Sequence, residues 1–207
     1  MKNIKLSELF DVQIGLVVSR KAVDFTEQSN NINYSKYKVL SLKSFLEDNT
    51  ISADFFNEIY TENIMDEKYL TKENDIIVRL INPLKSFVVT KDLENIVVPS
   101  QFVKLRNNKS SNILSEPVIN EYVSIFLNTF SNTKKMQQYK KEDTWLVNSI
   151  KQSTISDIDI PVINLEKQKE IVEFYKLLNK EIKLYKSLIE KKEEFYKSFL
   201  QNLIGEK

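Results

Sequence analysis

Three arginines, a few amides and a scatter of lysines carry most of the recognition chemistry open to this 207-residue chain. Arg20, Arg79 and Arg106 each offer a planar fork of donors that matches the guanine edge. Asn82 and Gln101 each offer an amide that matches adenine in the same bidentate way. Lys21, Lys85, Lys134, Lys135 and Lys151 supply charges suited to phosphates. Each of these residues has a structural alternative. Arg79 lies inside an apolar run and can simply point from the solvent face of a strand. Asn82 precedes Pro83 and can simply set a turn.

The residues that are missing narrow the chemistry further. There is no His and no Cys. That removes the imidazole base, the thiolate nucleophile, the disulfide and the usual zinc ligand sets. Gly15 and Gly205 are the only glycines, too few for a dinucleotide fingerprint or a phosphate-binding loop. Ile81-Asn82-Pro83-Leu84 has neither the second proline nor the aromatic of an amino-methyltransferase motif. Glu190-Lys191-Lys192 matches half of a nuclease metal site, but it falls mid-helix, where a solvated charge pair is the simpler reading. The expectation is a chain that is not an enzyme by itself and needs no metal or cofactor.

Charge points to a partner without naming it. The net charge is +1, and 42% of residues are hydrophobic, enough for a buried core. Residues 44–75 hold nine acidic and two basic residues, whereas 79–109 hold six basic and two acidic. Residues 134–151 hold five basic and two acidic. A molecule with one basic and one acidic face can hold phosphates on the first. Ordinary surface scatter gives the same numbers. No apolar stretch is long enough to span a membrane and the start lacks an apolar signal core, so a soluble, cytoplasmic protein is expected.

The elements that must position these residues fall into two regions. In the first, Tyr37–Leu42, Asp75–Ile81, Ser86–Thr90, Asn95–Pro99 and Gln101–Leu105 are β-branched or apolar runs that predict strands. Asn82-Pro83 and Lys91-Asp92 separate some of them as turns. Pro117–Phe130 has helical spacing with proline suited to its first position. The fold class is α+β: a strand-rich domain over 1–163, then one long helix over 164–207, with Asn164 as its N-cap.

That helix carries a seam. Ile171, Tyr175, Leu178, Ile182, Tyr185, Ile189, Lys192, Tyr196, Phe199 and Leu203 alternate steps of four and three, and all but Lys192 are apolar or aromatic. A heptad pattern held this long predicts a coiled coil. From Glu166 to Ile204 the helix would extend about 58 Å, so a dimer or docking onto another long helix is expected. The plainer alternative is a surface helix folded back on its own domain.

Three stretches together bear a family likeness. They are Leu6-Ser-Glu-Leu-Phe-Asp-Val-Gln-Ile-Gly-Leu-Val-Val-Ser-Arg-Lys21, then Tyr69-Leu-Thr-Lys-Glu-Asn-Asp-Ile-Ile-Val-Arg79 with Val98-Pro-Ser-Gln-Phe-Val-Lys-Leu-Arg106, and Ile155-Ser-Asp-Ile-Asp-Ile-Pro-Val-Ile-Asn-Leu-Glu-Lys-Gln-Lys-Glu-Ile171. The chain resembles the target-recognition half of the specificity (S) subunits of type I restriction-modification systems. The third stretch is the most specific, an Ile-x-Ile-Pro segment leading into Leu-Glu-x-Gln and a long helix. The first looks like an opening helix and a Gly-containing loop. Asn74-Asp75 stands where the family often has Gly-Asp.

The resemblance implies a reader of double-stranded DNA that partners methyltransferase (M) subunits and, where present, a restriction (R) subunit. One domain and one helix correspond to a half subunit, which would homodimerise and read a palindromic split target. On this basis Ser19, Arg20, Lys21, Arg79, Asn82, Lys85, Ser100, Gln101 and Arg106 are the candidate DNA contacts, with Lys134, Lys135, Lys151 and Gln152 as further choices. The rivals are a decoy that captures M subunits through the helix without reading DNA, a spare recombination cassette, and a stand-alone nuclease or methyltransferase.

Overall fold

The computed structural model describes residues 2–23, 34–46, 50–81, 83–107, 117–130 and 150–205. Asn82, Lys134 and Lys135 lie outside the described residues. The chain opens with β1 (Lys2–Lys5), one helical turn α1 (Leu6–Leu9) and β2 (Phe10–Ile14). The opening helix expected from Leu6 is a single turn. Leu6 and Leu9 bury one face of it, and Phe10 then leaves in extended conformation to pair with Asn107.

β3 (Ser35–Val39) and β4 (Asn57–Thr61) form a two-stranded antiparallel unit. β5 (Ile76–Arg79), β6 (Lys85–Val88) and β7 (Phe102–Asn107) join β2 in a four-stranded antiparallel sheet of order β2-β7-β5-β6. This sheet is buried on both faces. Ile76, Val78, Val103 and Leu105 face a main core with Phe10, Tyr122, Val123, Leu127, Ile155 and Ile160. Ile77 and Phe102 face a second core with Leu40, Phe45, Phe87 and Val98. Phe45 stacks on Phe102 at 5.3 Å and meets Phe87 edge-on at 5.2 Å. Two-sided burial is the physical reason that Ile76-Ile77-Val78 reads as an unbroken apolar run.

Asn95–Pro99, expected as a strand, is extended but joins no sheet. Val97 N–H donates to Lys38 O and Val98 N–H to Tyr69 O, so successive groups serve different neighbours instead of one ladder. Asn95 enters the segment at φ +61°, which breaks the pleat. At the other turn of interest, Asn74 adopts φ +69°, the left-handed conformation that asparagine tolerates better than most residues.

Helix α2 (Asn120–Phe130) begins three residues after Pro117, and α3 (Gln152–Ser156) precedes β8 (Asp159–Val162). β8 pairs antiparallel with β1, and Pro161 sits opposite Asn3 in this two-stranded edge, a place where a missing N–H costs little. Helix α4 spans Leu165–Ile204, 40 residues and about 60 Å. Asn164 caps it, accepting from the Lys167 N–H at 3.1 Å. Only Gln168 and Val172 of α4 are buried, and every residue from Lys180 to Ile204 is exposed. The alternative of a helix folded back on its own domain is thus set aside. No described helix is long and apolar enough to cross a membrane.

Candidate nucleic-acid interface

One edge of the four-stranded sheet gathers most of the candidate contacts. There β2 ends, β7 begins, β5 ends at Arg79 and β6 begins at Lys85. The register sets Arg79 opposite both Phe102 and Lys85. The Gly15 N–H donates to Phe102 O at 3.0 Å, the Leu16 N–H to Val98 O at 2.8 Å and the Ser100 N–H to Leu16 O at 2.8 Å. These bonds lay the loop after β2 against the Val98–Ser100 segment. They require a glycine at position 15, because a Cβ there would overlap the carbonyl oxygens of Val98 and Pro99.

From that anchor the chain turns through Val18–Arg20 and presents Ser19, Arg20 and Lys21, all exposed. Arg20 and Lys21 line a polar cleft of about 500 Å³ with Glu62, Asn63, Asp66 and Lys68. Lys68 is paired with Asp66 at 2.9 Å. Arg20 and Lys21 make no ion pair among the described residues. Exposed Gln101 borders a second cleft, of about 700 Å³, with Lys43, Phe55 and Asn57. Sequence reading passed over these three. Phe55 is the signal that could have found them: of the Phe55-Phe56 pair it alone is an exposed aromatic, 46% accessible.

Arg79 is half-buried, and its Nε is enclosed without a hydrogen-bond partner. Lys151, which is exposed, follows Ile150, whose N–H donates to Leu80 O at 2.7 Å. Two other candidates are fastened to the protein itself. The Lys85 ammonium donates to Leu46 O at 2.7 Å, and the Gln152 amide donates to Val12 O at 2.7 Å.

Arg106 stands apart from these residues. It lies at the opposite end of the sheet, opposite Asp11. Its fork is occupied: Nε and Nη2 donate to the two Asp75 oxygens at 2.7 and 2.6 Å, and Nη2 also to Leu70 O at 3.2 Å. Asp75 is 2% exposed and also accepts from the Lys72 N–H at 2.8 Å. The hydrogen bonds to Asp75 push the Arg106 guanidinium further above its ordinary range. A planar fork fits a carboxylate as well as a guanine edge, and here the carboxylate has it. Beside this pair, Lys104 is buried and donates to the carbonyls of Lys68 and Leu70. Burial first, and the Arg106 charge second, lower its pKa from 10.5 to about 8.

The Leu165-Glu-Lys-Gln168 motif works at the junction with the helix. Buried Gln168 accepts from the Ile119 N–H at 2.9 Å and donates to Ile163 O at 2.9 Å and Pro117 O at 3.3 Å. It ties the first turn of α4 to the segment leading into α2. Along α4 the expected seam residues Ile171, Leu178, Ile182, Tyr185, Ile189, Tyr196, Phe199 and Leu203 are exposed, while Tyr175 is half-buried. A second apolar stripe runs beside the seam through Phe174, Leu177, Leu184, Leu188 and Phe195, and it too is exposed.

No protein-family model and no curated protein matches this sequence. Solved structures do. A chain from a structure on complex assembly and conformational transition of the type I R-M system matches 99% of this chain with a TM-score of 0.64 and 13% identity. The HsdS subunit from Thermoanaerobacter tengcongensis matches 90% with a TM-score of 0.53 and 13% identity. The present chain spans 44% and 39% of those two chains, less than half of either. Its fold, strand-rich domain and long helix together, is that of the type I specificity subunits.

Proposed function

We propose that this chain reads one half of a bipartite DNA target and directs adenine methylation by partner M subunits, and cleavage by an R subunit where one is present. The reading is carried by one combination. A single sheet edge assembles Ser19, Arg20, Lys21, Arg79, Ser100 and Gln101, and the same fold projects a helix whose seam residues beyond half-buried Tyr175 are exposed. The likeness to the type I system structures supports the same assignment.

In this reading Arg20 and Lys21 engage phosphates, with Lys151 alongside, while Arg79 and Gln101 reach base edges. Arg106 is withdrawn from the interface and holds Asp75. The a/d seam of α4 joins two copies, and the neighbouring stripe from Phe174 to Phe195 takes an M subunit. A two-fold dimer presents the same reader twice, so the target is a palindrome with a fixed gap.

The test is long-read mapping of adenine methylation in cells carrying the M gene, with and without this chain. A split palindromic motif that appears only with the chain supports the reading. Unchanged methylation together with copurification of M would instead favour the decoy. Metal-dependent cutting by the pure chain would restore the nuclease alternative.

A further inference from the structure

Phe55 closes a tight turn over Ala53–Phe55, and its ring is 46% exposed. Its neighbour Phe56 takes the inward place and packs against the second core. The backbone that divides the two rings is fastened. The Ser41 and Ser44 hydroxyls both donate to Phe55 O, at 2.7 and 3.2 Å. The Ser52 N–H donates to Ser44 O at 3.0 Å, and the Phe56 N–H to Ala53 O at 3.1 Å. Ser44 itself is fully buried. The turn is thus tied to the domain, and it holds the Phe55 ring out in water.

A single exposed ring is ordinary on any protein surface. What singles this one out is its surroundings. Phe55 lines one cleft with Gln101, Lys43 and Asp54. The Gln101 backbone is tied to the sheet edge, its O accepting from the Leu80 N–H at 2.9 Å. Its exposed side-chain amide makes no hydrogen bond among the described residues. Lys43 is exposed and makes no ion pair among them. The Asp54 carboxylate accepts from the Ser52 hydroxyl at 3.1 Å.

These groups match the major-groove edge of an A·T pair. That edge presents an adenine acceptor and donor, N7 and N6, and the thymine 5-methyl group. A glutamine amide pairs with the first two, and an aromatic ring covers the methyl. Lys43 suits a backbone phosphate. Asp54 would repel one, so its part of the cleft suits bases better than backbone. A protein-docking patch has a broad apolar centre, whereas Phe55 stands among exposed Lys43, Asp54 and Asn57.

We propose that Phe55 is a specificity residue of this chain: its ring covers a thymine 5-methyl group in the major groove, next to an adenine held by Gln101. This rests on the DNA reading above and adds the base class that the cleft selects.

The test uses the full-length chain with its M subunits and a duplex carrying the motif found by methylation mapping. Each thymine is replaced in turn by uracil, which removes only the methyl group. At one position the parent complex should bind the uracil duplex about fourfold more weakly, the worth of one buried methyl group. Phe55→Ala should bind the thymine and uracil duplexes equally, and Phe55→Leu should keep part of the difference. Melting curves show that each variant is folded. A uracil penalty at no position, or one that persists undiminished in Phe55→Ala, overturns the proposal, while preference for the motif over a scrambled duplex leaves the DNA reading standing. If Phe55→Ala keeps the penalty and instead loses its M subunits on copurification, the ring serves a protein contact. A parent complex that does not distinguish the motif from the scrambled duplex overturns the DNA reading itself, and this proposal with it.

Discussion

Replacing Arg106 by Ala separates its two possible roles. The guanidinium holds a carboxylate that is 2% exposed, through two hydrogen bonds, and adds a third to Leu70 O. Removing it strands Asp75 with only the Lys72 N–H donating to it from the backbone. Breaking a buried pair on one side costs roughly 3–5 kcal/mol. Arg106 itself is 31% exposed, so water can partly replace it, and about 3 kcal/mol is the appropriate expectation. With a urea slope near 2 kcal/mol/M, the unfolding midpoint should fall by about 1.5 M. The control is Arg79→Ala, whose Nε has no hydrogen-bond partner among the described residues and which should shift the midpoint little. Both variants are then bound to a panel of target sequences at fixed salt. Arg106→Ala should keep the base preference of the parent at temperatures where it remains folded. If instead its stability is unchanged and its base preference relaxes at one position, the assignment of Arg106 to Asp75 is wrong.

Three further outcomes follow from particular residues. Arg79→Ala should relax preference at one base pair at a cost of about 1–3 kcal/mol, and identical binding across all site variants would refute a bidentate contact. Below pH 8 Lys104 is charged in both states and the fold bears its burial cost. Between about 8 and 10.5 only the unfolded chain keeps that proton, so stability should rise with pH, by about 3 kcal/mol relative to Lys104→Met in paired urea titrations. A wild-type curve that stays parallel to the variant's over that range would show the ammonium is not buried. Gly15→Ala should cost roughly 1–3 kcal/mol by thermal melt, because the new methyl meets carbonyls of the Val98–Pro99 backbone; a stability-neutral variant would mean the loop is not fastened there.

Legibility in the sequence followed the range of the interactions. Local signals carried well. Ile76-Ile77-Val78 is continuous because both faces of its sheet are covered, and Asn164 announces α4 by a cap three residues from its acceptor bond. Pairings between distant segments left little trace. β1 and β8 stand at opposite ends of the domain, and neither alone exceeds four residues. β2 fell inside the stretch read by resemblance as an opening helix and loop, whereas its strand character comes from pairing with β7. Asn95–Pro99 has strand composition, yet its N–H groups go to several neighbours. Arg106 was open to two readings for a related reason. Its side-chain chemistry suits two targets, and only the fold brings Asp75, 31 positions away, within 2.7 Å.

In the proposed dimer the Gln168 junction would set the distance between the two readers. Were α4 joined to its domain by a flexible linker, the gap between two half-sites would vary with the linker's freedom. Here the first turn of α4 is fixed on three sides. Gln168 bonds to Pro117, Ile119 and Ile163, Val172 enters the main core, and the Tyr122 hydroxyl donates to Pro161 O just ahead of the helix. The strand before the helix is itself paired to the chain's first strand. The direction of α4 is therefore set by the same core that holds β5 and β7, and hence by the sheet edge bearing Arg79 and Gln101. In a dimer joined through α4 the separation of the two readers becomes a property of the helix register. Shifting the seam by one heptad would change the separation of the two readers by about 10 Å along the helix axis, about three base pairs of duplex.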